Sequence, residues 1–507
     1  MSSTTGLSAD RWPAGLVFGA AVVGVAIVAA ALTVSGPIAV GVLAGAFLVV
    51  AFTVRFADAL PALFLNGMTV LLAGYALFGR SFAYVGVPPV YVGEIALAAG
   101  ALTTLFITRN VLQLMALRQT WLLFALAAWS ACQTVPYVST YRMDALRDAV
   151  LWGYGGFAVM FAAVVLSTDQ LGTIVARYGR AILLFVAWVP VLYALVRLFG
   201  DYIPTLPGTE VALLSFKMGD AGVHLAGAAA FALTFGTATT FGAAWSQRQK
   251  CFFWAAWIAG VACVLAQNRG GFLAVVAAVA VLAAVNPMAI GRRIAVGVGI
   301  VTIVVGSLAL ALTLDGNASP AGSSDDRTLS GGQFVANLAS IVSPDADYVL
   351  GESRQWRLDW WAAIREYTLW GEYFWTGKGF GVNLADDDGY RGASEDAPLR
   401  SPHNAHMTFL ARAGVPGIAL WILLNVTFAV GLLRAYARAR RLGASSWAHL
   451  DLWLLAYWTA FLTNASFDVF LEGPQGGIWF WCVFGLGLAS LAAQRSLGRD
   501  GVRGATG

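Results

Sequence analysis

Along most of the chain, apolar residues run in blocks of about twenty, separated by short polar or basic turns. A stretch near 20 residues crosses about 30 Å of hydrocarbon as a helix. The pattern predicts spans over roughly 14–34, 37–54, 59–79, 90–107, 119–137, 149–167, 181–199, 220–243, 251–267, 271–287, 294–313, 406–432, 450–470 and 477–494. One long interruption covers 314–405. Its first part, DGNASPAGSSDDRTLSGG, is rich in Gly, Ser and Asp and reads as flexible. Its second part, RQWRLDWWAAIREYTLW over Arg354–Trp370, has helical spacing: Trp356, Trp360, Ile364 and Tyr367 share one face, and Arg357, Trp361 and Arg365 another. That pattern predicts a helix lying at the membrane interface, where Trp and Tyr are favoured. The expected fold is all-α: a polytopic transmembrane helical bundle of about 14 spans. Helices occupy 1–313, an extracytoplasmic loop 314–405, and helices with a short cytoplasmic tail 406–507.

Composition agrees with a bilayer as the solvent. Hydrophobic residues make up 59% of the 507 residues and charged residues 11%, against about 25% charged in soluble domains. So little charge would not cover a surface in water, which excludes a soluble enzyme and gives no basic surface for nucleic acid. The net charge of +4 matters less than its placement. With the N-terminus inside, seventeen Lys and Arg fall in cytoplasmic segments, among them Arg292, Arg293 and the Arg434–Arg441 cluster; five (Arg80, Arg142, Arg147, Lys217 and Arg269) fall in short outer loops. That asymmetry predicts both termini in the cytoplasm and an even number of spans. The start, MSSTTGLSADRWP, lacks the basic segment of a cleaved signal peptide, so 14–34 reads as a retained span. Cys132, Cys251, Cys263 and Cys482 lie in apolar runs without a CxxC pair and read as small core hydrophobes.

Chemistry-bearing residues gather where the outer ends of the spans should be. Ser401-Pro402-His403-Asn404-Ala405-His406 directly precedes a span. A histidine there is suited to general-base work; the plainer reading is a pair of interfacial histidines that bind water. HxxH spacing also suits a metal, but Asp386, Asp387 and Asp388 fall in a stretch read as mobile, so neither metal nor cofactor is expected. Arg269, in the short turn Gln267-Asn268-Arg269-Gly270-Gly271, sits close to hydrocarbon. An arginine there often has an anionic partner, and phosphate fits its fork of donors; the alternative is snorkelling to the interface. Arg354, Arg357 and Arg365 either bind an anion or pair with Asp359 and Glu366. Gly377-Lys378-Gly379-Phe380-Gly381 lacks the P-loop spacing and reads as a tight turn. The aromatic segment Arg80–Glu94, the pair Arg142 and Arg147, and the carboxylates Asp468 and Glu472 read as structural when taken singly. Together the set suits an enzyme acting on a lipid pyrophosphate. Arginines would hold the phosphates, and by like charge would keep a nearby histidine neutral.

The order of these elements resembles the O-antigen ligase/polymerase superfamily of bacterial membrane glycosyltransferases. It comprises Arg269-Gly270 in a short outer turn, then Arg357-x-x-Trp360-Trp361 and Gly377-Lys378-Gly379-Phe380-Gly381 in the long loop, then Pro402-His403-Asn404 and Leu410-x-x-x-Gly414-x-x-Gly417. The resemblance implies a GT-C-like bundle, for which 12 spans are also possible, in the bacterial inner membrane. It implies an inverting, metal-independent transferase using a glycan on undecaprenyl pyrophosphate and a glycan or glycolipid acceptor. It places the base on His403 and the pyrophosphate on Arg269 and Arg357, with Arg354 and Arg147 less securely matched. Asn404, His406, Lys378 and Asp468 would support the site.

Two other readings compete. A transporter or flippase of a lipid-linked or small anionic substrate fits the many helices. It fits poorly with polar residues collected at one face, because transporters place ionisable groups near the midplane. A scaffold of a polysaccharide-assembly complex would leave His403, Arg269 and Arg357 dispensable. Ligase and polymerase are not separated by any feature of the sequence.

Overall fold

The computed structural model describes residues 58–87, 90–235, 245–287, 348–390 and 399–504. The expected spans 14–34, 37–54 and 294–313, the end of 220–243 and the Gly/Ser-rich part of the long loop lie outside these residues. The described elements are α1 (Leu60–Phe78), a two-residue hairpin of β1 (Gly86–Val87) and β2 (Val90–Tyr91), α2 (Val92–Thr104), α3 (Thr108–Leu114), α4 (Arg118–Cys132), α5 (Val135–Tyr141), α6 (Met143–Gly153), α7 (Gly156–Thr168), α8 (Leu171–Phe199), α9 (Met218–Phe235), α10 (Gln247–Gln267), α11 (Arg269–Val285), α12 (Tyr348–Arg365), α13 (Leu384–Asp387), α14 (Ala405–Arg441), α15 (Ser445–Ala465) and α16 (Pro474–Gly504).

Among the described residues, five helices are long and apolar enough to cross a membrane, or up to eight if α2–α3, α4–α5 and α6–α7 each count as one bent span. The expected spans 90–107, 119–137 and 149–167 fall on these pairs, which bend by 98°, 42° and 45°. The protein is an all-α membrane protein. Helices α9 and α15 carry polar groups within their apolar runs for a physical reason. They lie inside the bundle, packed on each other and on α11, where polar groups are paired rather than turned to lipid. Asp451 on α15 is fully buried and accepts from Ser490 Oγ (2.7 Å) and Gln494 Nε2 (2.8 Å). His224 Nδ1 on α9 meets Tyr457 OH at 2.7 Å. Where α9 crosses α11, a Cβ on Gly222 would lie 2.6 Å from the Gly271 carbonyl oxygen, so the two backbones touch. Cys263 and Cys482 are core residues as expected; Cys132 and Cys251 are exposed on the protein surface instead.

The aromatic face of α12 departs from expectation. Trp360 and Ile364 are fully buried and pack with Leu384 and Leu410, flanked by Trp356 and Tyr367. The face predicted for the membrane interface is thus turned into the protein, against α14, and the exposed aromatics of this region are Trp370 and Trp375. Asp388, read as part of a mobile stretch, is fixed: it accepts from Trp360 Nε1 (2.6 Å) and Tyr367 OH (3.3 Å) and pairs with Lys378.

What seats the loop is a break in α14. Gly414 has φ +67° and ψ −169°, which interrupts the helix. In an unbroken helix the carbonyls of Ala411, Arg412 and Ala413 would accept from the N–H groups of residues 415, 416 and 417. Here residue 416 is proline, which has no N–H. The glycine-rich turn supplies the missing donors: Lys378 N donates to Ala411 O (2.7 Å) and Gly379 N to Arg412 O (3.0 Å). Trp129 Nε1 donates to Ala413 O (2.8 Å). In return Val415 N donates to Phe374 O (2.7 Å). The turn comes this close because Gly377 has φ +63° and no side chain; a Cβ there would lie 2.4 Å from the Arg412 carbonyl carbon.

Arg412, 1% exposed, completes the joint. It donates to the carbonyls of Gly379 (3.2 Å) and Val382 (3.0 Å) and pairs with Asp148 on α6 at 2.9 Å. The same Asp148 oxygen accepts from Gly381 N (3.0 Å) and Arg400 (3.2 Å). A buried guanidinium needs this number of acceptors to offset its lost hydration.

Two stability outcomes follow, each read by thermal melting in detergent. Gly414→Ala forces a left-handed alanine, costing about 1–2 kcal/mol, and puts a Cβ 2.6 Å from the Phe374 carbonyl oxygen. Its melting temperature should fall clearly, whereas Gly200→Ala, which meets nothing within 4 Å, should change little. Asp148→Asn leaves Arg412 buried without its counter-charge and should cost about 3–5 kcal/mol. Equal melting of wild type and Asp148→Asn would contradict this role.

Candidate functional site

Seven helix ends meet at one end of the bundle: the C-termini of α1, α10 and α15 and the N-termini of α9, α11, α14 and α16. His403 lies there, in the corner before α14. Its φ of +53° is unusual for a side-chain-bearing residue. Three contacts fix that corner. Trp361 Nε1 on α12 donates to Pro402 O (2.8 Å). Asn404 caps α14, its Oδ1 accepting from the N–H groups of His406 (2.9 Å) and Met407 (3.2 Å). Thr408 Oγ1, one turn on, donates to Glu472 Oε1 (2.8 Å). Asparagine after the histidine is therefore explained by the helix start, and the second tryptophan of Arg-x-x-Trp-Trp by the grip on Pro402.

Arg357, one turn before Trp361 on α12, donates from Nη1 to the Phe467 carbonyl (3.3 Å). Arg269 begins α11, whose cap is Asn268, with Oδ1 accepting from Gly271 N (2.8 Å). The residue after it, Gly270, sits against the same segment: a Cβ there would lie 3.1 Å from Phe467 Cβ and 3.4 Å from Asn464 Oδ1. The segment Asn464–Asp468 at the end of α15 is thus where the Arg269 turn and Arg357 converge. Asp468, 3% exposed, is ion-paired with Lys217. Arg80 approaches Asp220 at 3.6 Å.

His403 senses this collection of charges. Its pKa is pulled down from 6.5 to about 4, first by burial and then by the positive charge of Arg357; Asp468 opposes the shift, and Lys217 and Arg80 add to it. The ring is neutral at physiological pH. Burial works against the Asp468 carboxylate, but Lys217, Arg80 and His403 outweigh it and hold its pKa below the usual value. Glu472 goes the other way: burial raises its pKa, opposed by hydrogen bonds from Ser401 and Thr408.

The other expected residues fall in different places. His406 Nδ1 accepts from Trp421 Nε1 (2.9 Å). That fixes the proton on Nε2, which donates to Ser466 Oγ (3.1 Å), whose own proton goes to Leu462 O. His406 thus ties α14 to α15 and has no free lone pair for a proton. Lys378 is held by Asp387 (2.6 Å) and Asp388 and lies 4.3 Å from the centre of the Tyr367 ring. Burial lowers its pKa, but these two carboxylates outweigh it and hold the pKa above the usual value. It is part of the loop's seating. Arg147 is exposed on α6, where the contacts to the long loop are made by Asp144 and Asp148. Arg354 lies in the early part of α12, where the side chains are outside the described residues.

The residues that sequence reasoning missed are Arg80, Lys217 and Asp220 as members of the site. Lys217-Met218-Gly219-Asp220 at the mouth of an apolar run was the available signal, since a carboxylate there needs a cation. Their pairing depends on the loop before α9 being tied to the turn after α1, by Arg80 N donating to Ser215 O (2.8 Å) and Ser81 Oγ to Leu213 O (2.7 Å). No local pattern announces those contacts.

Residues 254–422 match the model of the family described as O-Antigen ligase. The match takes in Arg269, Arg357, Lys378, His403, Asn404 and the break at Gly414; Arg147 and Asp468 lie outside it. No curated protein matches the chain. The apolar helices and the matched segment together support a ligase- or polymerase-type role at a membrane. Over residues 254–422 the chain is thus similar to the O-antigen ligase family.

Proposed function

We propose that this protein is a membrane glycosyltransferase that moves or polymerises glycan from an undecaprenyl-pyrophosphate-linked donor onto an acceptor hydroxyl at the extracytoplasmic face of a bacterial inner membrane. The observation that carries the reading is a neutral, half-buried histidine under the influence of an arginine, in a corner held by α12 and by the start of α14. A neutral imidazole accepts a proton; a nearby guanidinium stabilises charge on a departing phosphate.

In this mechanism the acceptor oxygen attacks the anomeric carbon of the donor sugar from the face opposite the pyrophosphate. The new C–O bond forms as the bond to pyrophosphate breaks, so the configuration inverts. His403 takes the hydroxyl proton, and undecaprenyl pyrophosphate leaves with the bonding electrons. Arg357 and Arg269 hold its negative charge, and Arg354 and Arg147 are the further arginines assigned to the pyrophosphate. The scheme uses no metal ion. Asp468 opposes the cations around His403 and keeps the ring from being pulled lower still.

The test uses purified protein in lipid, an undecaprenyl-pyrophosphate-linked oligosaccharide and a panel of acceptors, with chelator present. Release of undecaprenyl pyrophosphate should survive the chelator. In His403→Ala it should fall by about 10²–10⁴-fold, the usual contribution of a general base, while donor binding is kept. The acceptor that gains mass separates ligase from polymerase. A variant as active as wild type would remove His403 as the base, and a transporter would show no release at all. The pH dependence has a definite sign: a base with a lowered pKa is lost only as pH falls through about 4. Activity should therefore hold through pH 6.5, where an ordinary histidine would already be half protonated.

A further inference from the structure

The charges near His403 divide into two groups of different chemistry. Arg357 and the Arg269 turn converge on Asn464–Phe467 and carry positive charge. Arg80, Lys217, Asp220 and Asp468 form a second group, in which two cations and two carboxylates cancel. A neutral group does not suit a pyrophosphate, because each carboxylate repels it.

The Arg80–Asp220 pair is also left open. Its atoms approach only to 3.6 Å, beyond hydrogen-bond length. Both Asp220 oxygens are buried without a hydrogen bond, as are Arg80 Nε and Nη2. Asp220 is 6% exposed, so water does not readily satisfy it. Unpaired buried carboxylate oxygens are costly. A buried carboxylate in loose contact with a guanidinium, at 3.6 Å, keeps unused acceptors beside unused donors. Adjacent hydroxyls of a pyranose match that, each donating to Asp220 and accepting from Arg80. Lys217, a third exposed by its side chain, adds a donor beside it. Phe467, 39% exposed between Asn464 and Asp468, offers an apolar ring to the C–H face of a sugar.

Resting on the transferase reading above, we infer that Arg80 and Asp220, with Lys217 and Asp468 beside them, form a sugar subsite that binds vicinal hydroxyls of the glycan, distinct from the arginines that bind pyrophosphate. The ligand is a neutral pyranose, either the donor's sugar or the acceptor's.

Full-length protein in lipid nanodiscs would be titrated with two probes: bare undecaprenyl pyrophosphate, and the lipid-linked glycan isolated from the cells that make this protein. The acceptor KM would be read in the release assay. Asp220→Asn should leave the Kd of the bare lipid within about twofold. It should raise by roughly tenfold or more, as expected for hydrogen bonds to a charged group, either the Kd of the glycan-bearing lipid or the acceptor KM. The first result identifies the donor sugar, the second the acceptor sugar. Arg80→Gln should reproduce whichever rises. Asp220→Glu keeps the ion pair and displaces the oxygens by one methylene. It should raise the same constant, and it serves as the test if Asp220→Asn does not fold. Equal loss for both lipids would make this a phosphate site, and no change in either constant would make the pair purely structural; both overturn the inference. A wild type that binds neither lipid would overturn the transferase reading itself.

Discussion

Inside a bilayer a broken helix leaves backbone carbonyls with no water to receive them, and the break at Gly414 creates three. Each unmet group would cost about 1–3 kcal/mol. The chain meets them with two N–H groups of the glycine-rich turn and one tryptophan from α4. The two N–H groups join the long loop to α14 by backbone bonds that side-chain substitution leaves in place, and the Trp129 side chain ties α4 to the same break. Arg412 then carries the connection to α6 through Asp148, which also receives Arg400 from the far end of the loop. With the loop held at the glycine-rich turn and at Arg400, α12 packs over the start of α14. Trp361 can then set Pro402, and Arg357 can reach Phe467. The position of His403 depends on this chain of contacts.

The same economy explains the charges. Ionisable groups near hydrocarbon persist only with partners, and here most are committed: Arg412, Arg400 and Lys378 to the loop, Asp451 to α16, His406 to Trp421 and Ser466. What stands apart is the group around His403. Its histidine is neutral, and one ion pair is not closed by hydrogen bonds. Ion pairs that only hold helices together tend to close to hydrogen-bond length. A gap of this kind fits a site whose remaining partners arrive with a ligand.

Much of this was legible in the sequence, because periodicity and turn chemistry are local. The apolar blocks marked the helices, and the shared face of Trp356, Trp360, Ile364 and Tyr367 marked α12. The Pro-His-Asn corner was read correctly as lying before a helix. What was misread had a tertiary cause. The aromatic face of α12 reads equally well for lipid or for protein, and only α14 beside it decides. Lys378 reads as part of a tight turn, but that Asp387 and Asp388 fold onto it is not written in the spacing. His403 and His406 are indistinguishable as letters, yet Trp421, fifteen residues beyond His406, removes one of them from acid–base chemistry. Arg80 and Asp220 are 140 positions apart and met only once the loop before α9 was tied to the turn after α1.

The central claim is that His403 is a neutral imidazole held so by burial and by Arg357. The direct measurement is a titration of its ring by NMR of the ¹⁵N-histidine-labelled protein in detergent, with His403→Gln identifying the signal. The account predicts a ring that stays neutral well below pH 6.5 and gains its proton near pH 4, with the midpoint moving up in Arg357→Gln. A midpoint at 6.5 that Arg357→Gln leaves unchanged would contradict it, because the ring would then lie in open solvent, away from the arginine on which the mechanism relies.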